Sequence, residues 1–325
     1  MKVRAWVWNE PCEPLALQLT EREIAGPLPG EVVVENKAVG LNPVDWKLVR
    51  SKTNGWQVGH IPGVDGAGIV VACGEHTNVP LGTRVAYHHD LNRDGSYATH
   101  TVIAARAMLR IPESVSFRDA ATMPCPGLTG WQALNKFPVV ADRDVLIVGG
   151  ASASGTYMIQ LAVKRGYRVW TTASGKNHAR LLDLGVEGVI DYHDPEWREA
   201  LMRGLEGWQL YAAIDNIGAK NAETLAPLIG YNGHLVSIAG RLAAPPLPAF
   251  TTVISLHEIA LGAIHQYGRD HDWATLRESG AEILNGLAAG TMKTPPIETF
   301  EFERLNEALE ALRNGRQMGK LVAEL

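Results

Sequence analysis

The sequence predicts an α/β protein of two domains, one rich in short β-strands and one built on a doubly wound parallel sheet. Three observations carry that expectation. Residues 1 to about 122 hold short β-branched runs separated by Gly and Pro turns. From about Phe117 onward, apolar runs of strand length alternate with helix-period segments. Within that second part, Asp144–Ala162 (DVLIVGGASASGTYMIQLA) reads as a buried strand, a loop of small residues and a helix in immediate succession.

The elements follow in order. Met1–Trp8 alternates as a strand does, and runs at 31–35, 66–72, 83–87 and 97–103 supply further short strands. In the second part, strands are expected at Val145–Val148, Arg168–Thr172, Gly188–Ile190, Leu210–Asp215, His234–Ala239 and Ile259–Ile264. Helices between them are expected at Gly155–Arg165, at Lys176–Leu184, after an N-cap at Asp194, and at Ala219–Ile229. Strands alternating with helices make a doubly wound sheet. Trp273–Ala289 and Glu303–Asn314 read as helices, the latter with Leu305, Ala308, Leu309 and Leu312 at helical spacing and Gly315 as its stop. Lys320–Leu325 is expected to return as a strand to the first domain. The first domain is thus placed at 1–122 and completed by 271–325, the second at 123–270.

Composition narrows the class. A hydrophobic fraction of 46% and a charged fraction of 20% over 325 residues are ordinary for a globular protein. The formal charge of −5 gives no reason to expect nucleic acid or an anionic membrane as partner. No apolar run approaches the roughly 20 residues of a bilayer span, and the N-terminus shows no signal-peptide core. Cys12, Cys73 and Cys125 are far apart, which argues for reduced thiols and a cytoplasmic location. No CxxC pair is present to build a structural zinc lobe.

The loop inside 144–162 carries the chemistry. A strand, a small-residue turn and a helix put free backbone N–H groups at a helix N-terminus, where a pyrophosphate docks. The candidate cofactor residues there are Gly149, Ser152, Ala153, Ser154 and Gly155. A site specific for NAD carries Asp or Glu about 20 residues further on. Thr172-Ala-Ser-Gly-Lys176 stands in that place, with no acidic residue between Gly166 and Leu182. Ser174, Lys176 and Arg180 suit a 2′-phosphate instead, which predicts NADPH. Asn216 and Gly240 follow strands four and five on the carboxyl edge where ligands bind.

Several separate blocks in order resemble the medium-chain dehydrogenase/reductase superfamily, within it the zinc-independent quinone oxidoreductase and enone reductase branch. They are Asn42-Pro-Val-Asp45, Pro62-Gly-Val-Asp-Gly-Ala-Gly-Ile-Val70, Leu128-Thr-Gly-Trp-Gln-Ala-Leu134 with candidate cofactor residue Thr129, the Gly149-x-x-Ser152-x-x-Gly155 loop, and Gly319-Lys-Leu-Val322. In the branch, Gly usually stands where Ser152 does. The resemblance implies a GroES-like catalytic domain interrupted by a Rossmann domain. It also implies transfer of hydride from NADPH to a quinone or an α,β-unsaturated carbonyl. Homodimers are usual in the family, often through the last Rossmann strand, and Ile254–His265 suits that role. Tyr192 matches the family's Tyr beside the 2′-phosphate.

Zinc-dependent members of the superfamily bind the metal with Cys, His and Cys. Those positions align with Asn42, Val64 and Cys125 here. One thiol does not replace three ligands, so no metal is expected. The alternative is a metal-assisted alcohol or carbonyl dehydrogenase that recruits His88 or His89 (with Asp90 and His100 nearby), which otherwise read as a polar loop. A second alternative is a non-catalytic NADPH-binding sensor of the same fold. On the substrate side, Lys47 is the candidate acid or oxyanion partner, Asn42 a candidate for orienting the substrate carbonyl or the nicotinamide ribose, and Asp45 a brace for that loop.

Overall fold

The computed structural model describes residues 1–51, 55–315 and 319–325. The chain forms two compact units, one of Met1–Cys125 with Gly262–Leu325 and the other of Pro126–Leu261.

The first unit begins with the antiparallel pair β1 (Lys2–Val7) and β2 (Gln18–Glu23). Next come β3 (Glu31–Gly40), α1 (Pro43–Arg50), β4 (Asp65–Cys73), β5 (Arg84–His88), β6 (His100–Ala104), β7 (Met108–Arg110) and α2 (Phe117–Ala121). The chain leaves this unit through α3 (Pro124–Leu134). It returns with α8 (Ile264–Tyr267), α9 (Asp270–Ala288), β14 (Ile297–Glu301), α10 (Leu305–Arg313) and β15 (Lys320–Glu324).

The main sheet of this unit runs β14-β15-β3-β4-β5-β7, with β6 also paired to β3. Its long strand β3 serves β6 along Glu31–Glu35 and β15 along Ala38–Gly40. Register shifts at Val33/Val34 and Asn36/Ala38 let it bend between the two. The core gathers Trp6, Trp8, Leu41, Tyr97, Leu305, Leu309 and Leu321. Trp6 donates its indole N–H to the Phe302 carbonyl at 2.9 Å, so the C-terminal segment completes the fold of the N-terminal one.

The second unit contains β8 (Asp144–Val148), α4 (Ala153–Lys164), β9 (Arg168–Thr172), α5 (His178–Leu182), β10 (Gly188–Ile190), α6 (Trp197–Gly204), β11 (Leu210–Asp215), α7 (Ala219–Leu225), β12 (Ile229–Ser237) and β13 (Ser255–Glu258). All six strands are parallel, in the order β10-β9-β8-β11-β12-β13. The central strands β8 and β11 are buried along their whole length. Both faces of such a strand are covered by helices, so its sequence is continuously apolar rather than alternating.

Three expectations fail locally. Strand five spans Ile229–Ser237 rather than His234–Ala239, and the helix before it stops at Leu225. The sixth strand is Ser255–Glu258, not Ile259–Ile264; the latter segment passes into a 3₁₀ turn at Leu261–Ala263 and the short helix α8. Ile259 and Leu261 are buried there by packing, which in sequence imitates a strand. Asp194 does not cap α6. Its carboxylate accepts the Glu196 N–H at 2.9 Å in the preceding turn, and Glu196 holds the N-cap position.

Candidate active site

The carboxyl edge of the second unit is built from loop chemistry. Gly149 leaves β8 with φ of 77°, a left-handed conformation that favours glycine. Thr172 at the end of β9 accepts the Gly149 N–H at 3.1 Å. Ser152 is the N-cap of α4: its hydroxyl accepts the Gly155 N–H at 3.0 Å and donates to the Gly149 carbonyl at 2.7 Å. That hydroxyl is spent on the loop, so it has no proton left for a phosphate. Gly155 permits the close approach, since a Cβ there would lie 2.4 Å from the Gly149 carbonyl oxygen.

Ala153 and Ser154 open α4, and their N–H groups have no carbonyl one turn back within the helix. The first turn of α4 bears no acidic side chain. The arrangement suits an anion. Ser154 donates to Asn216 Oδ1 at 3.1 Å, and Asn216 donates to the Val148 carbonyl at 2.8 Å, so the β8 and β11 termini are tied together. Asp215 accepts the N–H groups of Ile217 and Gly218, which forms the turn after β11. Gly240 accepts from the Ser237 hydroxyl at the end of β12. Thr129 is buried on α3, whose Gly130 lies against Met158 of α4.

After β9, Ser174 precedes a 3₁₀ turn and accepts from Asn177 at 3.1 Å, while Lys176 is exposed. Arg180 is turned away from this loop, donating to Thr156 Oγ1 at 3.2 Å and to the Ala151 carbonyl at 3.4 Å. Tyr192 is exposed and packs on His193. One group went unseen in the sequence. Asp191, from the end of β10, accepts the Gly175 N–H at 3.1 Å, so a carboxylate does reach the loop. It comes from the neighbouring strand, outside the window where an NAD-type acid is sought.

In the first unit, Asn42, Asp45 and Lys47 occupy the β3–α1 turn and α1. Pro43 opens α1, where its missing N–H is no loss. Asp45 Oδ2 accepts the Asn42 N–H at 2.7 Å, the brace expected of it. Burial pushes the Asp45 carboxyl up to about 7, against the opposing effect of that bond. Lys47 is exposed, with Nζ 5.8 Å from the Trp46 ring centre.

Asn42 behaves differently from expectation. Its side chain is buried and engaged at both ends: Nδ2 donates to Asp65 Oδ2 at 2.9 Å, and Oδ1 accepts from Lys320 Nζ at 2.6 Å. With a further contact from Nδ2 to the Gly40 carbonyl at 3.3 Å, the amide has no N–H left to give a substrate carbonyl. Lys320 also meets Asp65 Oδ2 at 3.2 Å, and Asp65 Oδ1 accepts the Cys125 N–H at 2.9 Å. The positions aligned with zinc ligands therefore hold an amide engaged by a lysine, a valine without a donor atom, and one thiol.

His88 and His89 are not a polar loop. Both are buried, His88 closing β5, with His88 Nδ1 3.4 Å from His265 Nε2 and His89 Nε2 2.9 Å from the Asp94 carbonyl. Burial lowers His88 to about 4, His89 to about 3 and His265 to about 4. Among the described residues, no three His, Cys, Asp or Glu side chains gather in a metal-holding group. His100 lies apart, beside Glu35 and Lys37. Nor is any described helix long and apolar enough to cross a membrane.

Comparison with known proteins agrees with this architecture. The family model described as the alcohol dehydrogenase GroES-like domain matches residues 28–113, and that described as zinc-binding dehydrogenase matches residues 184–322. The trans-enoyl reductase mycC of Thermothelomyces thermophilus is 34% identical, covering 96% of this chain and 94% of its own. A putative zinc-dependent alcohol dehydrogenase from Rhizobium etli superposes with a TM-score of 0.88 at 26% identity, over 100% of this chain and 98% of that one. The quinone oxidoreductase of Coxiella burnetii shares the fold, with a TM-score of 0.82 at 24% identity and full coverage of both chains. The chain belongs to the medium-chain dehydrogenase/reductase superfamily, with the trans-enoyl reductases among its relatives.

Proposed function

We propose that this protein reduces a carbon–carbon double bond conjugated to a carbonyl, using NADPH and no metal ion. The observation that carries the reading is the donor set at Asn42, Val64 and Cys125. With the Asn42 amide held by Lys320 and Asp65, this set offers a divalent metal one thiol where three ligands are needed. A plain ketone then lacks a Lewis acid, whereas a conjugated acceptor spreads the developing charge itself. Relatives named trans-enoyl reductases, including that of Penicillium oxalicum at 31% identity over 92% of both chains, favour an enoyl substrate over a quinone.

In this reading the N–H groups of Ala153 and Ser154 would hold the pyrophosphate. Ser174 and Lys176 would hold the 2′-phosphate. When bound, the cofactor would supply the hydride that a conjugated acceptor takes at the carbon remote from its carbonyl. Lys47 donates to the resulting enolate oxygen or delivers the proton that completes the saturated product. A cytoplasmic homodimer is part of the proposal: β13 is the outer strand of its sheet, with Leu256 and Val253 exposed beside its open edge. Light scattering of the purified protein tests it, a monomer mass being the contrary result.

Asp191 favours a second reading, NADH in place of NADPH, because a carboxylate beside this loop suits ribose hydroxyls better than a phosphate. The test is cofactor oxidation at 340 nm with NADPH and NADH against enoyl thioesters, enones, quinones and simple ketones, with and without EDTA. EDTA-resistant turnover of enoyl or enone substrates with NADPH supports the proposal. Loss of activity in EDTA, or turnover of simple ketones alone, overturns it. Cofactor binding without any turnover points to a sensor.

A further inference from the structure

A lysine and an aspartate lie fully buried in the first unit, with side-chain exposures of 2% and 0%. Both types are costly to bury unless paired and hydrogen-bonded. Lys320 opens β15, and Asp65 opens β4. Between them sits the Asn42 side chain, and its orientation is dictated by charge. An ammonium only donates and a carboxylate only accepts, so Oδ1 must face Lys320 and Nδ2 must face Asp65. The residue before a helix ordinarily turns its side chain onto the first-turn N–H groups. Here that side chain is diverted, and the Asp45 carboxylate instead braces the turn by taking the Asn42 N–H. The same Asp65 carboxylate accepts the Cys125 N–H in the first turn of α3. Room for the lysine stem is provided at Gly40, where a Cβ would lie 3.0 Å from Lys320 Cε and 2.2 Å from the Ala121 carbonyl oxygen.

We propose that Lys320 is a positioning residue for the reduction: by locking the Asn42 amide against Asp65, it fixes the start of α1 and hence the placement of Lys47. It touches no reacting atom in this scheme. Its effect passes through Asn42 to the helix that follows. The catalytic part of the inference rests on the reductase reading, and the lock itself does not.

The experiment compares wild type, Lys320→Met and the double variant Lys320→Met/Asp65→Asn, all as full chains. Lys320→Met leaves a buried carboxylate without its cation, and a large fall in Tm is expected. The double variant removes both charges and recovers most of that Tm. Asn at position 65 then presents an N–H where the carboxylate accepted, so the Asn42 amide loses its imposed orientation. If Lys320 positions α1, the double variant keeps a kcat at least tenfold below wild type with an unchanged KM for NADPH. Amide hydrogen exchange in a peptide spanning residues 40–50 stays at least tenfold faster. Return of kcat and exchange protection together with Tm would overturn the proposal, since Lys320 would then only compensate a charge. Wild type without turnover on the enone panel would overturn the reductase reading alone, and the exchange comparison would still decide the lock.

Discussion

The Ser152 hydroxyl accepts the Gly155 N–H at 3.0 Å, which makes Ser152 the cap of α4. Glycine would relieve crowding near a pyrophosphate, whereas serine caps the helix proposed to receive one. Replacing a capping serine with alanine costs about 1 kcal/mol, and with glycine a few tenths. Urea unfolding of Ser152→Ala is expected to show the larger loss and Ser152→Gly the smaller. NADPH affinity of Ser152→Gly is expected to stay within about threefold of wild type, because less than ~1 kcal/mol of local order is at stake. A larger loss on titration would mean that the hydroxyl contacts the phosphate.

Lys47 is exposed on α1, one turn beyond the anchored Asn42. If it serves the enolate oxygen, Lys47→Ala lowers kcat by about tenfold to a hundredfold, at the low end of acid–base contributions. Tm should hardly change. Steady-state kinetics with the best enone decide the matter, and unchanged turnover would return Lys47 to the solvent-facing class.

Acid should destabilise the protein through its imidazoles. His60, His88, His89 and His265 are held by burial at about 4, 4, 3 and 4, below their ordinary 6.5. Between those values the unfolded chain binds protons that the folded chain refuses. Their stabilisation is therefore complete above pH 6.5 and is lost as pH falls towards 4. Asp45 acts in the opposite sense: raised from 3.8 to about 7, it favours the folded state at low pH and loses that contribution as pH rises through 7. Burial raises Asp65 and Asp215 in the same sense as Asp45 and lowers His100, His234 and His257 in the same sense as the other imidazoles; seven lowered imidazoles outweigh three raised carboxyls, so stability falls on acidification from pH 6.5 to 4. Each proton changes the slope by about 1.4 kcal/mol per pH unit. Urea unfolding at pH 7, 6 and 5 should show this, with His265→Gln reducing the slope by about one proton. A flat profile would contradict it.

Asp191 sets the cofactor contest. Its carboxylate accepts the Gly175 N–H beside Lys176, and it also engages His193. Against a 2′-phosphate it would repel, weakly because water screens an exposed carboxylate. Asp191→Asn is therefore expected to lower the KM for NADPH modestly, by a few-fold at most. Lys176→Ala should raise it. If Asp191→Asn instead raises the KM for NADH, the carboxylate is holding ribose hydroxyls and NADH is the natural donor.

Much of the second unit was legible in the sequence. Arg168–Thr172, Gly188–Ile190 and Leu210–Asp215 are strands with the bounds expected of them. For Leu210–Asp215 the reason is that a parallel strand covered on both faces is nearly all apolar, whereas Arg168–Thr172 and the half-buried edge strand Gly188–Ile190 show as short β-branched runs. Ile259–Ile264 failed by the same rule, since its buried residues pack from a 3₁₀ turn. Helix ends were less legible because short 3₁₀ segments replace the first or last turn, as at Gly175–Asn177 and Ala226–Leu228.

By itself the sequence determined the chain's two-part organisation, the strand–loop–helix unit around Gly149–Gly155 and the family blocks. These depend on residues close together along the chain: period, turn chemistry and spacing. Tertiary structure alone decided what the polar residues do. Asn42 and Lys320 are separated by 278 positions, yet they are in contact in the folded protein. Asp191 reaches Gly175 from another strand, and His88 meets His265 across 177 positions. No local pattern encodes such pairings, because burial and charge compensation arise only when distant strands are laid side by side.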